Sequence, residues 1–161
     1  TPYEYLRFTY DKDYLPTDAL GDKNNLMSQS GRYIFGKGFT MVGGQQSFYP
    51  AAYDRETDTL FSMVGNGYVS AMMDNGIAFL NDAPYYIGTT SYVVDTNGDI
   101  MIQTPIVDWL IAEHNIDLTD YILDGIIIIG ASEDCRRIAG ITNTEEGWRT
   151  FVINLDGAPM Q

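Results

Sequence analysis

Short runs of β-branched and aromatic residues alternate along this chain with clusters of Ser, Asn, Asp and Gly, the pattern of strands separated by tight turns. In the last such run Phe151, Ile153 and Leu155 fall on one face and Thr150 and Asn154 on the other, the two-residue period of a strand buried on one side. Ile126-Ile127-Ile128-Ile129 shows no alternation and predicts a strand covered on both faces. Tyr3 to Tyr10 sets Tyr3, Tyr5, Arg7 and Thr9 against Glu4, Leu6, Phe8 and Tyr10, which predicts an N-terminal strand. Leu118 to Leu123 fits neither period. One segment has the spacing of a helix: Thr104 as N-cap, Pro105 at the first helical position and Ile106, Trp109 and Leu110 on one face predict a short helix from Thr104 to about His114, ending near Asn115.

The turn-and-strand pattern repeats. Met27-Ser28-Gln29-Ser30-Gly31-Arg32-Tyr33-Ile34-Phe35-Gly36 leads through Gly43-Gly44 to Ala51-Ala52-Tyr53-Asp54. Met72-Met73-Asp74-Asn75-Gly76-Ile77-Ala78-Phe79-Leu80-Asn81 leads to Tyr92-Val93-Val94-Asp95. Ala131-Ser132-Glu133-Asp134-Cys135-Arg136-Arg137-Ile138-Ala139-Gly140 leads to Phe151-Val152-Ile153-Asn154. From turn to closing residue the spacing is 19 in two copies, Gly76 to Asp95 and Cys135 to Asn154, and 23 in the first, Gly31 to Asp54, which places a four-residue insertion in the first loop. Each copy predicts a β-hairpin whose polar turn bonds its own backbone and whose Gly accepts a positive φ. Asp95-Thr96-Asn97-Gly98-Asp99 predicts a further tight turn of type I′ into Ile100-Met101-Ile102.

The chain has 161 residues with 45% apolar and 19% charged, which is the composition of a folded domain and excludes general disorder. A formal net charge of -13 repels phosphate backbones and anionic lipid, so nucleic acid is not an expected partner. No apolar stretch approaches the ~18 residues of a spanning helix, which predicts no membrane insertion. The acidity, the few lysines and the Tyr/Asn/Gly/Thr-rich loops point to a secreted or cell-surface bacterial protein. A start at Thr1 without Met or leader points to a processed or shortened chain, so residues 1–161 read as one β-repeat domain or as the C-terminal part of a longer protein.

An Asp/Ser-Gly turn, a strand ending in Ile-x-Gly and a returning aromatic strand resemble the extracellular HAF-type repeats of bacterial surface and secreted proteins, which look like β-propeller blades. The likeness runs from about Leu26 to Leu155 and is densest from Val107-Asp108-Trp109-Leu110 through Ile116-Asp117-Leu118-Thr119 to Ser132-Glu133-Asp134 and Ile138-Ala139-Gly140. Cys135 departs from the turn Gly, and Asn81 stands where the outer copies have Gly36 and Gly140. The resemblance implies a mainly β fold of antiparallel hairpin repeats, propeller-like or a partial propeller, with one short helix at 104–114; a β-sandwich is the alternative. Propeller blades take about 40 to 50 residues and come roughly four to eight to a ring. Three units leave edges that predict association of copies or contact with a further domain.

Candidate chemistry is sparse. Cys135 is the one cysteine and His114 the one histidine. A buried small side chain at Cys135 and a dipole-favoured cation at the helix end for His114 account for both, and no Gly-x-Ser-x-Gly elbow is present. Asp95, Asn97 and Asp99 have the start of a calcium loop, but Ile100 and Ile106 occupy the positions where an EF-hand needs Gly and Glu. The expectation is a hairpin turn with at most a weak calcium site, and no cofactor. Paired carboxylates drawn from Asp54, Asp58, Asp74, Asp82, Asp120 and Asp124 would suit a carbohydrate-active hydrolase, although turn capping explains such residues equally. The loop aromatics Tyr49, Tyr68, Tyr85, Tyr86 and Trp148 are candidates for stacking on protein or carbohydrate. The sequence therefore predicts a non-catalytic scaffold for protein or glycan binding, with the hydrolase as alternative.

Overall fold

A computed structural model describes residues 27–82, 89–121 and 124–155. Its ten strands form three antiparallel sheets in chain order. The first contains β1 (Tyr33–Val42), β2 (Gln45–Asp54) and β3 (Thr59–Ser62); the second contains β4 (Tyr68–Met72), β5 (Ile77–Asn81), β6 (Ser91–Asp95) and β7 (Ile102–Pro105). Helix α1 (Ile106–His114) follows, and β8 (Asp124–Ala131), β9 (Arg137–Thr144) and β10 (Gly147–Asn154) make the third sheet. Within each sheet sequential strands pair as neighbours. β1 lies against β4 and β4 against β8, so the sheets converge along these edge strands in the manner of propeller blades. Among the described residues no closed barrel forms.

The second sheet is buried on both faces, which explains its nearly continuous apolar strands. Val69, Met72, Ala78, Leu80 and Val94 pack toward Tyr33, Phe35 and Ala52 of the first sheet. Ala71, Phe79 and Val93 face the other way, toward Ile106 and Leu110 of α1 and Ile126, Ile128, Ile138 and Ile153 of the third sheet. Consecutive residues of β5 thus serve two cores. Full burial of side chains such as Phe79 and Leu80 contributes about 1.5–3 kcal/mol each.

The three repeats superpose in hydrogen bonding. Gly31, Cys135 and Gly76 all have positive φ and close turns by donating to Ser28 O, Ser132 O and Met73 O respectively. The registers Tyr33↔Asp54, Ile77↔Asp95 and Arg137↔Asn154 then begin each hairpin alike. Several expectations need correction. The four extra residues of the first copy lie in its strands and not in its loop, because β1 and β2 have 10 residues each against 8 in β9 and β10, and both hairpins close with two-residue turns. The middle copy is one residue shorter after its turn, where Met73 N–H bonds Ile77 O while Ser28 and Ser132 reach five residues on. Leu80, not Asn81, therefore occupies the position of Gly36 and Gly140.

The expected type I′ turn at Asn97-Gly98 is absent: Asp95 pairs with Ile102, leaving a six-residue connection in which Gly98 has no positive φ. Asp95 Oδ1 accepts from Asn97 N–H and Asn97 Nδ2 instead, both at 2.9 Å, so the Asx turn diverts the chain before the Asn-Gly pair can reverse it. The helix starts one residue later than expected, since Thr104 pairs with Val93 in β7 and Pro105 takes the N-cap with no side-chain hydrogen bond. It ends as predicted at Asn115, which adopts the left-handed conformation and donates its N–H to Ile111 O at 3.2 Å, while Ile116 N–H returns to Leu110 O at 3.0 Å. The strand expected over Tyr3–Tyr10 lies outside the described residues.

Candidate functional site

The aromatic candidates do not converge. Tyr68 is buried and its hydroxyl accepts from Asn81 Nδ2 at 3.2 Å. Tyr49 is half-buried against Gly38, where an added Cβ would stand 2.8 Å from the ring. Trp148 is 42% exposed on β10, in a different sheet from the other two, and Tyr85 and Tyr86 lie outside the described residues. A single stacking platform built from Tyr49, Tyr68 and Trp148 is thereby ruled out. At the neighbouring Gly67 the Asn81–Asp82 backbone approaches closely: a Cβ there would fall 1.6 Å from Asn81 O.

Asp54, Asp58, Asp74 and Asp82 of the acidic candidates have local structural partners. Asp54 takes a bidentate contact from Arg32, 3.1 Å from Nε and 2.8 Å from a terminal nitrogen, and this guanidinium holds the carboxyl below the usual carboxylate range. Asp74 accepts from Ser28 Oγ at 2.5 Å, from Ser30 Oγ at 2.6 Å and from Ser30 N–H at 3.0 Å, and these donors depress it likewise. Asp58 accepts from the Tyr53 hydroxyl, and Asp82 from Thr90 N–H at 3.3 Å. Among the described residues no cluster of His, Cys, Asp or Glu is arranged to hold a metal ion, and the Asp95–Asn97 turn is bonded within itself. His114 packs edge-on against Trp109 at 4.5 Å between ring centroids. Cys135 is half-buried, its thiol is pushed up by burial, and its Sγ accepts from Asn75 Nδ2 at 3.4 Å.

What the structure does gather is a groove of about 680 Å³ between the third sheet and the turn that follows α1. Its floor is apolar, made by Leu118, Ile126, Phe151 and Ile153. One bank carries Thr119, Asp120 and Tyr121, the last 70% exposed. The other carries Glu145 and Glu146 of the β9–β10 turn and Arg149 and Val152 of β10. Arg149 reaches Glu146 at 3.2 Å, so one acidic charge of the bank is matched while Glu145 and, across the groove, Asp120 add to the negative field. An apolar floor with a charged rim and an exposed aromatic is the composition of a contact surface. Sequence reasoning did not assemble it: the floor residues read as ordinary inward strand positions, and Tyr121 fell in the one stretch with no clear period.

Three antiparallel meanders joined along their edge strands, with a groove on the outer part of the third, define a propeller-like β-repeat protein. No protein-family model and no curated protein matches the chain. Among solved structures it is similar to the crystal structure of TolB from Acinetobacter baumannii, with a TM-score of 0.45 and 11% identity over 83% of this chain and 30% of that one. The chain thus spans under a third of the length of that protein, and a likeness of this size says nothing about residues or activity.

Proposed function

We propose that the chain is a non-catalytic, HAF-type repeat module of a secreted or cell-surface bacterial protein, and that its sheets are a rigid scaffold presenting the third-sheet groove for contact with another protein. The observation that carries this reading is the groove itself, which pairs an apolar floor with an acidic rim and exposed Tyr121 and Val152. Protein is favoured over glycan because Tyr49, Tyr68 and Trp148 are spread over three sheets and offer no platform for a sugar chain. The structural partners of Asp54, Asp58, Asp74 and Asp82 support the non-catalytic part of the reading.

Selection of displayed random peptides against the full chain tests it, with the Tyr121→Ser/Val152→Ser double variant as counter-target. Both side chains are exposed, so the variant should keep its fold. Enriched peptides are expected to lose about tenfold or more in affinity on the variant. Failure to enrich any groove-dependent binder, or release of sugar from a panel of glycosides by the unmodified chain, would reject the reading.

A further inference from the structure

The second sheet closes the outer edge of β8 with side chains where a strand would otherwise stand. On one side Ile126, Ile127 and Ile128 pair with Thr142, Ile141 and Gly140 of β9. On the other, Ile126 N–H donates to Thr89 O at 3.0 Å and Ile126 O accepts from Ser91 Oγ at 2.7 Å. Ile128 N–H donates to Asn81 Oδ1 at 3.0 Å, and Ile128 O accepts from Asn81 Nδ2 at 2.8 Å. These are the bonds that two residues of an edge make to a neighbouring strand, with the Asn81 carboxamide standing in for a peptide group.

The caps form a unit. Asn81 and Ser91 stand opposite each other in the β5–β6 register, and both are 0% exposed. Ser91 shares its one hydroxyl proton between Ile126 O and Asn81 Oδ1, the latter at 2.5 Å. The segment they cover is strongly strand-forming, with four consecutive isoleucines and no charged residue from Gly125 to Ser132. Left open, such an edge is a template for pairing with another chain.

We infer that Asn81 and Ser91 guard this chain against self-association, and that the surface they withhold fits a second copy: two β8 edges joined about a two-fold axis as an antiparallel ladder. The segment itself selects that partner. Run against itself in the opposite direction, 126–129 sets isoleucine against isoleucine, and each outward N–H meets an outward C=O. Apolar packing between the second and third sheets does not replace the caps, because it leaves the Ile126 and Ile128 carbonyls without donors, whereas the strand of a second copy supplies them. Two copies of net charge -13 repel, so an uncapped edge should associate more strongly as salt rises. Nothing in this pairing depends on what the groove binds.

Sedimentation velocity on the full chain compares Asn81→Leu/Ser91→Ala with the parent and with Val94→Ala, a core variant that loses packing against the first sheet. The uncapped variant is expected to associate about tenfold or more tightly than the parent, and more so with added sodium chloride, while Val94→Ala stays at the parental level. A peptide of residues 124–131, N-methylated at alternate amides so that it pairs through one edge only, should return the uncapped variant to the parental level. Should the double variant not fold, Ser91→Ala alone uncaps Ile126 O and keeps both Asn81 bonds to Ile128, and a smaller increase of the same kind is expected. Association no stronger in the uncapped variants than in the parent would overturn the inference. So would equal association of Val94→Ala, which would trace the effect to lost stability. Association that the methylated peptide leaves unchanged would place the contact away from β8 and overturn it as well.

Discussion

Asn81 should be the most sensitive polar residue of the fold. It is 0% exposed at the end of β5, and its side chain reaches across to the backbone of the third sheet. Nδ2 donates to Ile128 O at 2.8 Å and Oδ1 accepts Ile128 N–H at 3.0 Å, which is the pair of bonds a neighbouring strand would supply. Oδ1 also accepts from Ser91 Oγ at 2.5 Å, and Nδ2 from the same amide reaches the Tyr68 hydroxyl at 3.2 Å. Leucine at this position keeps the volume and strands the carbonyl of Ile128; its N–H keeps only the 3.3 Å contact to Ser91 Oγ. Each buried group left without a partner costs about 1–3 kcal/mol, so Asn81→Leu should lose about 3–5 kcal/mol. For a chain of this size that lowers the thermal midpoint by about 10 °C or more. Urea unfolding of the single variants and of Asn81→Leu/Ser91→Ala would measure both the loss and a coupling of about 1 kcal/mol between the two residues. An Asn81→Leu protein within about 0.5 kcal/mol of the original would refute the assignment of Asn81 as the link between the sheets.

Three further outcomes can be checked on the same preparation. Because Arg32 holds the Asp54 carboxyl below its unfolded value, the pair's contribution is fully present above about pH 4 and is lost as pH falls through the lower native value; Asp54→Asn should therefore flatten the urea midpoint between about pH 2 and pH 5, and an unchanged slope would contradict the ion pair's role. Gly140→Ala would set a Cβ 2.4 Å from the backbone oxygen of Ile127, which cannot yield without moving β8, so a loss of about 1–3 kcal/mol is expected, while Gly130→Ala meets nothing within 4 Å and should be silent; equal midpoints for the two in calorimetry would contradict the β8–β9 packing. Burial raises the Cys135 thiol, so iodoacetamide should label it more slowly at neutral pH than it labels glutathione, and equal rates would show the thiol to be open.

The hairpins were legible because strand period and turn chemistry agree over short distances. The turns at Gly31, Gly76 and Cys135 and the returning strands after them stand where the repeat puts them. Ile126, Ile127 and Ile128 are buried, as an unbroken apolar run requires. The failures came where a longer-range contact outweighed a local preference. Thr104 has the chemistry of an N-cap but is held in β7 by Val93, and Asn97-Gly98 has the chemistry of a hairpin turn but is diverted by Asp95. Asn81 looked like a degraded repeat glycine, and its function as a bridge depends on Ile128, 47 residues away, which no local pattern reveals. The groove was invisible for the same reason, since its banks come from a turn after α1 and a hairpin tip that share no sequence feature.

The polar residues of the repeat turns also explain why the groove lies where it does. Asp74 of the second turn holds Ser28 and Ser30 of the first, and its own N–H donates to Glu133 of the third at 2.9 Å, so the three repeat turns are tied together at one end of the sheets. All three hairpins keep one register from that end. The differences accumulate at the other: β1 and β2 run two residues further than β9 and β10, and the β5–β6 connection is longer again. Length and charge can change at the distal tips without disturbing the turn cluster or either core. Glu145, Glu146 and Arg149 belong to such a tip, on a hairpin whose inner face is fixed by Phe151 and Ile153. The fixed end makes the chain a scaffold, and the variable end is where an acidic contact surface could be acquired at little cost to stability.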